Sequence, residues 1–147
     1  MKAFVGALLA LCMSGSWAAL GSRPAQFAAN ATATQTDPRS TGQAQYTDIR
    51  TTLASGTIVH EYADFAGTVF AVSWSGPFVP NLKQLLGPHF DVLANRNGNG
   101  AAHRRHGQRV IDQPDIEVES GGHMGAFEGR AWLPARLPAG FDPKEIQ

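Results

Sequence analysis

The run Thr68–Trp74 (TVFAVSW) constrains the fold more than any other stretch of the chain. Alternation along a strand would divide its side chains between two faces, Phe70, Val72 and Trp74 on one and Val69, Ala71 and Ser73 on the other. Since both faces are largely apolar, the run predicts a central strand that is covered on both sides. A fold built around it needs a layer of structure on each face of the sheet.

Two similar runs precede this strand. Tyr46–Leu53 and Thr57–Ala63 are dominated by β-branched and aromatic residues, and glycine-containing turns at 54–56 and 64–67 bound them. Short turns of this kind join antiparallel neighbours. The sequence therefore predicts a three-stranded β-meander over Tyr46–Ser75.

The period of the apolar residues changes after Pro80. Three leucines, Leu82, Leu85 and Leu86, follow with the i, i+3, i+4 spacing of a helix. Gly87 is a natural helix end, and Pro88 can open a second helical turn. We therefore expect one helix, or a broken pair, packed on the sheet.

The C-terminal part predicts a hairpin. Asp115–Ser120 alternates between apolar and acidic residues, and Gly125–Pro134 is a second strand-like run. Gly121 and Gly122 between them predict the turn, because hairpin turns favour glycine at positive φ. His123 then lies at the exit of that turn.

Two other segments complete the prediction for the C-terminal half. Asn95–Gln108 is polar and rich in glycine, which is typical of a loop. Asp142 followed by Pro143 provides an N-cap and a first-turn proline, so a last short helix is expected.

Residues 1–18 have the three parts of an export signal. Lys2 supplies the positive start, Ala3–Met13 is apolar, and Ser16-Trp17-Ala18 ends with small residues at the cleavage positions. The apolar run is shorter than the about 20 residues that span a bilayer. We predict a cleaved signal peptide and a mature protein that begins at Ala19, in the periplasm or the medium, with no transmembrane segment.

Cys12 is the single cysteine of the chain and lies within this signal. A lipoprotein signal also ends its apolar run at a cysteine, but a small residue normally precedes it and here Leu11 does. Anchoring at Cys12 is therefore the less favoured alternative. Without Cys12 the mature protein has no disulfide and no thiolate, so a packed core must stabilise it.

The segment from Ala28 to Gln45 is rich in Ala, Thr, Gln and Ser and has no apolar period. Such a segment buries too little apolar surface to offset its ordering entropy, so 19–45 is expected to be a flexible spacer. Residues 46–147 then form a single α+β domain: a small, mainly antiparallel sheet, made of a meander and a C-terminal hairpin, with one or two helices packed on it.

His60-Glu61-Tyr62-Ala63-Asp64 is the most tempting catalytic motif, because H-E-x-x-D resembles a zinc-protease helix. That chemistry needs ligands four residues apart on one helical face. The preceding Thr57–Val59 favours a strand, on which His60 and Glu61 point to opposite faces. The motif is therefore expected to fail on geometry.

The remaining candidates for chemistry are weak. His103 and His106 flank two arginines, whose charge opposes a metal cation, in the predicted loop. The chain has no G-x-S-x-G nucleophile motif and no phosphate-binding glycine loop. Lysine plus arginine and aspartate plus glutamate number 12 each, so no global basic field favours nucleic acid. We assign no catalytic, cofactor-binding or metal-binding residue.

The runs Ser55–Phe90 and Val118–Gly140 carry a resemblance to a known family. The chain, over about Tyr46–Ile146, resembles an uncharacterised bacterial exported family catalogued as domain of unknown function 2844. The resemblance rests on Gly56-Thr57, Glu61-Tyr62, Gly67, Val69–Val72, Trp74, Gly76-Pro77, Pro80, Leu82, Leu85–Gly87, Ser120–Gly122, Gly129–Ala131 and Pro134. It implies a small exported bacterial protein of one domain and no particular catalytic residue.

The sequence thus favours a non-enzymatic envelope or extracellular binding or structural module with an unknown partner. The alternative is a small periplasmic metal-binding protein or hydrolase that uses His60, Glu61 and His123. Convergence of His60 and His123 with Glu128 or Arg130 in one pocket would favour this alternative.

The export signal makes a direct prediction. Protein recovered from the periplasm or the medium should have the intact mass of Ala19–Gln147. Retention of Met1 would contradict it, and a lipid attached to Cys12 would establish the lipoprotein alternative.

Overall fold

In a computed structural model, the chain forms an antiparallel sheet with short helices packed on it, so the predicted α+β class is confirmed. The structure describes residues 20–25, 27, 31–94, 101–105 and 108–147, with 101–105 described by their backbone alone. These residues contain eight strands: β1 (Ala31–Thr41), β2 (Ala44–Leu53), β3 (Ile58–Ala63), β4 (Val69–Gly76), β5 (Ala101–Arg105), β6 (Gln108–Asp112), β7 (Glu117–His123) and β8 (Ala126–Trp132).

The strands lie in the order β1-β2-β3-β4-β8-β7-β6-β5. The predicted meander is β2–β3–β4 and the predicted C-terminal hairpin is β7–β8, and both are confirmed. Strand β4 lies between β3 and β8, and every side chain from Val69 to Trp74 is buried. The prediction of a central strand covered on both faces is therefore correct.

A β-bulge in β4 changes which residues share a face. Tyr62 pairs with Ala71, but the next residue of β3, Ala63, pairs with Val69, so Phe70 is an extra residue. The core separates accordingly into two clusters, one with Val69, Val72 and Trp74 and the other with Phe70 and Ala71. The predicted grouping of Phe70 with Val72 and Trp74 is wrong, because sequence alternation does not reveal a bulge.

One face of the sheet, which we call the helix face, is covered by helices and by residues 20–25. The helical segment comprises α1 (Leu82–Leu86), a 3₁₀ turn (Gly87–His89) and α2 (Phe90–Ala94). The side chain of Asn81 caps α1 by accepting a hydrogen bond from the Gln84 N–H at 3.1 Å. The predicted broken helix is confirmed, and among the described residues no helix is long and apolar enough to cross a membrane.

The opposite face, which we call the tail face, is covered by residues 134–147, the C-terminal tail. The tail contains 3₁₀ turns at Pro134–Arg136 and Pro143–Glu145, the second of which confirms the predicted last short helix. Phe141 packs edge-on against Phe70, with ring centroids 5.0 Å apart. The two faces of β4 are thus covered by the two ends of the described chain.

Two segments differ from the sequence-based expectation. Strand β1 lies within the expected spacer, and β5 lies within the loop expected at 95–108. Most β1 side chains are exposed, so β1 is held in the sheet by its backbone hydrogen bonds to β2. Its sequence therefore has no apolar pattern from which a strand could be predicted. Strand β6, for which no strand was predicted, joins β5 to β7.

The turn of the C-terminal hairpin also differs from its prediction. His123 pairs with Ala126, so the two-residue turn is Met124-Gly125, and Gly121 and Gly122 lie inside β7. Gly122 nevertheless has a φ of 117°, and a Cβ atom there would collide with the Ala126 carbonyl oxygen. A close approach of the two strands, rather than the turn, requires this glycine.

We therefore expect Gly122→Ala to destabilise the protein by roughly 2 kcal/mol or more, because it combines positive φ with a backbone collision. His123→Ala should have little effect, since this side chain is exposed. Urea melts of both variants provide the measurement. Equal unfolding midpoints for the two variants would contradict the strand-approach explanation.

Candidate functional site

Polar side chains form a row across the tail face. The strand register places His60, Ser73 and Arg130 side by side on β3, β4 and β8. Arg50 on β2 and Glu119 on β7 extend the row in both directions. Since paired residues point to the same face, these groups share one surface. This row is the densest set of chemically capable side chains on the sheet.

A buried carboxylate fixes the histidine of this row. His60 Nδ1 lies 2.8 Å from Asp48 Oδ1, and the side chain of Asp48 is only 9% exposed. Arg39 Nη2 approaches the other oxygen of Asp48 at 3.7 Å. The His60 ring also stacks near Tyr62, with centroids 6.1 Å apart. His60 is therefore fixed by a carboxylate on the neighbouring strand β2 and by a ring on its own strand.

Asp48, His60 and Ser73 have the residue types of a catalytic triad, so their geometry matters. Ser73 is 1% exposed, and its Oγ makes no hydrogen bond to His60. The backbone around Ser73 is paired with both β3 and β8, which leaves its amides unsuited to stabilise an oxyanion. A nucleophile needs access to substrate and a hydrogen-bonded base, and this serine has neither.

Arg130 anchors the C-terminal tail. Its Nε and Nη2 contact Glu119 Oε2 at 2.8 and 2.7 Å. Its Nη1 donates to the carbonyl oxygens of Pro143 and Ile146 at 3.3 and 3.4 Å. The guanidinium also lies 5.5 Å from the ring centroid of Trp132. Its donors are thus used within the fold, which makes Arg130 a tail anchor.

Two cavities open beside the tail on this face. One, of about 220 Å³, is lined by Ser75, Gln108, Glu119, Glu128 and Arg130 among others. The other, of about 410 Å³, includes Arg39, Asp48, Tyr62, Lys144 and Glu145. Both carboxylates and cations line each cavity, and Glu119 of the first and Asp48 of the second are paired with arginines. They offer polar contacts but no assembled catalytic group.

Glu61 lies on the opposite, helix face and is fully buried. Its Oε1 accepts a hydrogen bond from the Ala25 N–H at 2.6 Å, whereas its Oε2 has no partner among the described residues. Burial raises the pKa of Glu61 to about 7, although the bond from Ala25 acts in the opposite direction. Glu61 therefore fixes residues 20–25 to the sheet and is closed to a ligand.

His123 is far from both residues of the candidate motif. It ends β7, its side chain is exposed, and its Nδ1 lies 3.2 Å from the carbonyl oxygen of Met124. Four residues separate it from Glu119 along β7, which corresponds to roughly 13 Å. The proposed convergence of His60, Arg130 and His123 is therefore absent, although His60 and Arg130 do share a row.

The remaining metal candidates can be placed only in part. His103 belongs to β5, but its side chain and the whole of His106 lie outside the described residues. The predicted signal peptide and its predicted cleavage site also lie outside the described residues. Within the part of the chain that the structure describes, no three His, Cys, Asp or Glu side chains are grouped to hold a metal ion.

With the fold and the row in view, the family can be stated. A model of the family described as "protein of unknown function (DUF2844)" matches residues 16–146. The chain belongs to this family. The match confirms the resemblance in the sequence, which also continues to Ala19-Leu20-Gly21, and it includes the N-terminal residues that cover the helix face. The chain matches no curated protein and no solved structure.

Asp48, Tyr62 and Ser73 are the site residues that sequence reasoning missed. Each lies in a predicted strand, two residues from another side chain of the same face, but no local motif marks them. The signal is the cross-strand register, which becomes readable only after the meander is aligned. The alternation of side chains along the strand correctly predicted that His60 and Glu61 lie on opposite faces. It could not identify Asp48 as the hydrogen-bond partner of His60.

Burial of Glu61 makes stability depend on pH. The unfolded chain releases this proton near its ordinary pKa of 4.5, whereas the folded chain holds it until about 7. The free energy of unfolding should therefore be highest below pH 4.5 and fall by on the order of 3 kcal/mol as pH rises through 7. Glu61→Gln should remove this fall.

Urea melts of wild type and Glu61→Gln between pH 4 and 8 test this expectation. Glu128→Gln is a suitable control, since Glu128 is exposed on β8. The difference in unfolding free energy between Glu61→Gln and wild type should change with pH, whereas that for the control should stay flat. Parallel stability curves for all three proteins would contradict the buried-proton explanation.

Proposed function

We propose that this protein is exported and acts, without catalysing a reaction, as a binding or structural module of the cell envelope or the extracellular space. The observation that supports this proposal is a contrast between the hydrogen-bonded polar groups and the exposed apolar groups. His60, Glu61 and Arg130 in the sheet are hydrogen-bonded within the fold, whereas large apolar side chains are exposed on its turns. Those exposed side chains are Phe65, Phe78, Val79 and Met124.

Several polar groups that a catalyst could use hold structural elements in place. His60 is bonded to Asp48, Arg130 to Glu119 and the tail, and Glu61 to residues 20–25. A catalytic group normally points into an accessible cleft towards substrate. Because these groups are already hydrogen-bonded within the fold, the binding interpretation is favoured over a hydrolase built on His60, Glu61 and His123.

The exposed apolar side chains lie on ordered turns. The turn that carries Phe65 is closed by Gly67 N–H donating to the Asp64 carbonyl at 2.9 Å, and the Asp64 side chain accepts from Thr68 N–H at 2.9 Å. An aromatic side chain presented on a fixed turn is a typical anchor for a partner, because little conformational entropy is lost on binding.

His60→Ala separates the two classes of function. It should lower the unfolding free energy by about 1–3 kcal/mol, because the buried Asp48 loses its partner. Retention of the purified protein on envelope extract should be unchanged at a temperature where the variant is folded. Elemental analysis of the same preparation would reveal a bound metal.

A panel of ester, peptide and phosphoester substrates completes the test. Turnover by wild type that His60→Ala abolishes would contradict the binding proposal and favour the hydrolase. His89→Ala, which removes a histidine from the helical segment and leaves the row intact, serves as the matched control.

A further inference from the structure

Three of the exposed apolar side chains lie at one end of the sheet. Gly76, which ends β4, pairs with Phe127 near the start of β8, so the loop after β4 and the β7–β8 turn project from the same end. Phe78 is 62%, Val79 48% and Met124 92% exposed at these two places. We call this end of the sheet, with the turns at 54–56, 77–81 and 123–126, the loop end.

The loop that carries Phe78 is built rigidly. The fully buried Thr57 hydroxyl donates to the Phe78 carbonyl at 2.7 Å and lies 3.4 Å from the Phe78 N–H. Prolines at 77 and 80 fix φ on either side of the exposed pair. A Cβ atom on Gly76 would lie 2.5 Å from the Thr57 Cα. The backbone is thus fixed so that two apolar side chains face solvent.

Basic residues accompany this end. The register places Arg104 and Arg109 in the row of Trp74, two residues from the end of β4, and Arg105 in the next row toward the loop end. Lys83 lies in the first turn of α1, just after the loop. Glu128 is the carboxylate in those rows, and Gln108 donates a hydrogen bond to it at 2.9 Å. Cations therefore outnumber carboxylates around the exposed apolar tips.

The opposite end of the sheet has the reverse balance. It carries more carboxylates than the cations Arg23, Arg39, Arg136 and Lys144 can balance. Those carboxylates are Asp64, Asp112, Asp115, Glu117, Asp142 and Glu145. The two ends of the sheet therefore differ in the sign of their charge excess along the strand direction. A negatively charged surface would attract the loop end and repel the other.

We propose that the loop end docks on an anionic lipid bilayer. Phe78, Val79 and Met124 enter the headgroup region, and Lys83 with Arg109 of β6 faces lipid phosphates. The apolar tips lie on separate turns, which suits a flat and deformable surface. The inference rests on the proposed function, because it names the surface that the binding module contacts.

Sedimentation with lipid vesicles tests this docking. The probes are vesicles of mixed phosphatidylglycerol and phosphatidylcholine, and vesicles of phosphatidylcholine alone. Wild type should bind the anionic vesicles at least about tenfold more tightly, and added salt should weaken that binding. Residues 1–18, where retained, contribute equally in every variant, so the comparison of variants is unaffected by them.

Matched variants at the two ends make the test specific. Phe78→Ser should weaken binding by about tenfold, whereas Phe65→Ser, which removes an even more exposed ring at the opposite end, should leave it unchanged. Lys83→Glu should weaken binding by about fivefold or more, and Lys144→Glu should not. All four side chains are exposed, and thermal melts verify that each variant folds.

Equal effects of the paired variants, or equal binding to the two kinds of vesicle, would overturn the proposal. Phe78→Ser that leaves vesicle binding intact but abolishes retention on envelope protein would assign the loop end to a protein pocket instead. Concentration-dependent dimerisation that Phe78→Ser abolishes would assign it to a second copy. Vesicle binding is measured on purified protein, so failed export would not be mistaken for failed docking.

Discussion

Burial of β4 on both faces is the constraint on which the rest of the structure depends. A strand with apolar side chains on each side is stable only when each face is covered. The helix face is covered by α1, α2 and residues 20–25, and the tail face by the C-terminal tail. Both ends of the described chain therefore contribute to the core, and each end covers one face of β4.

Each cover is fixed by a polar side chain that projects from a strand beside β4. Glu61 on β3 accepts from Ala25 on the helix face, and Arg130 on β8 donates to the tail on the other. Such bonds are strong in a buried setting but costly when incomplete, as the unpartnered Glu61 Oε2 illustrates. Glu61 and Arg130 thus each fix one of the two covering segments to the sheet.

Much of this fold is readable from the sequence because apolar alternation and turn residues mark its core. The meander, the broken helix and the C-terminal hairpin all follow from such patterns. Strands β1 and β5 do not, since backbone pairing holds a polar edge strand without any apolar period. The Gly121-Gly122 turn was misplaced because glycine serves equally well in a turn and at a close approach of strands, as at Gly122.

The candidate site was predictable only by exclusion. Strand geometry alone places His60 and Glu61 on opposite faces of the sheet, which excludes the zinc-protease interpretation from the sequence itself. The partners of these residues, Asp48 and Ala25, lie 12 and 36 residues away in the sequence, and nothing local announces them. Exposed apolar side chains are equally hard to predict from the sequence. Phe78 resembles a core phenylalanine, and only its contact with Thr57 shows that its backbone is held at the surface. An apolar side chain with the same local sequence can be buried in the core or exposed at the surface, and a long-range contact decides between the two.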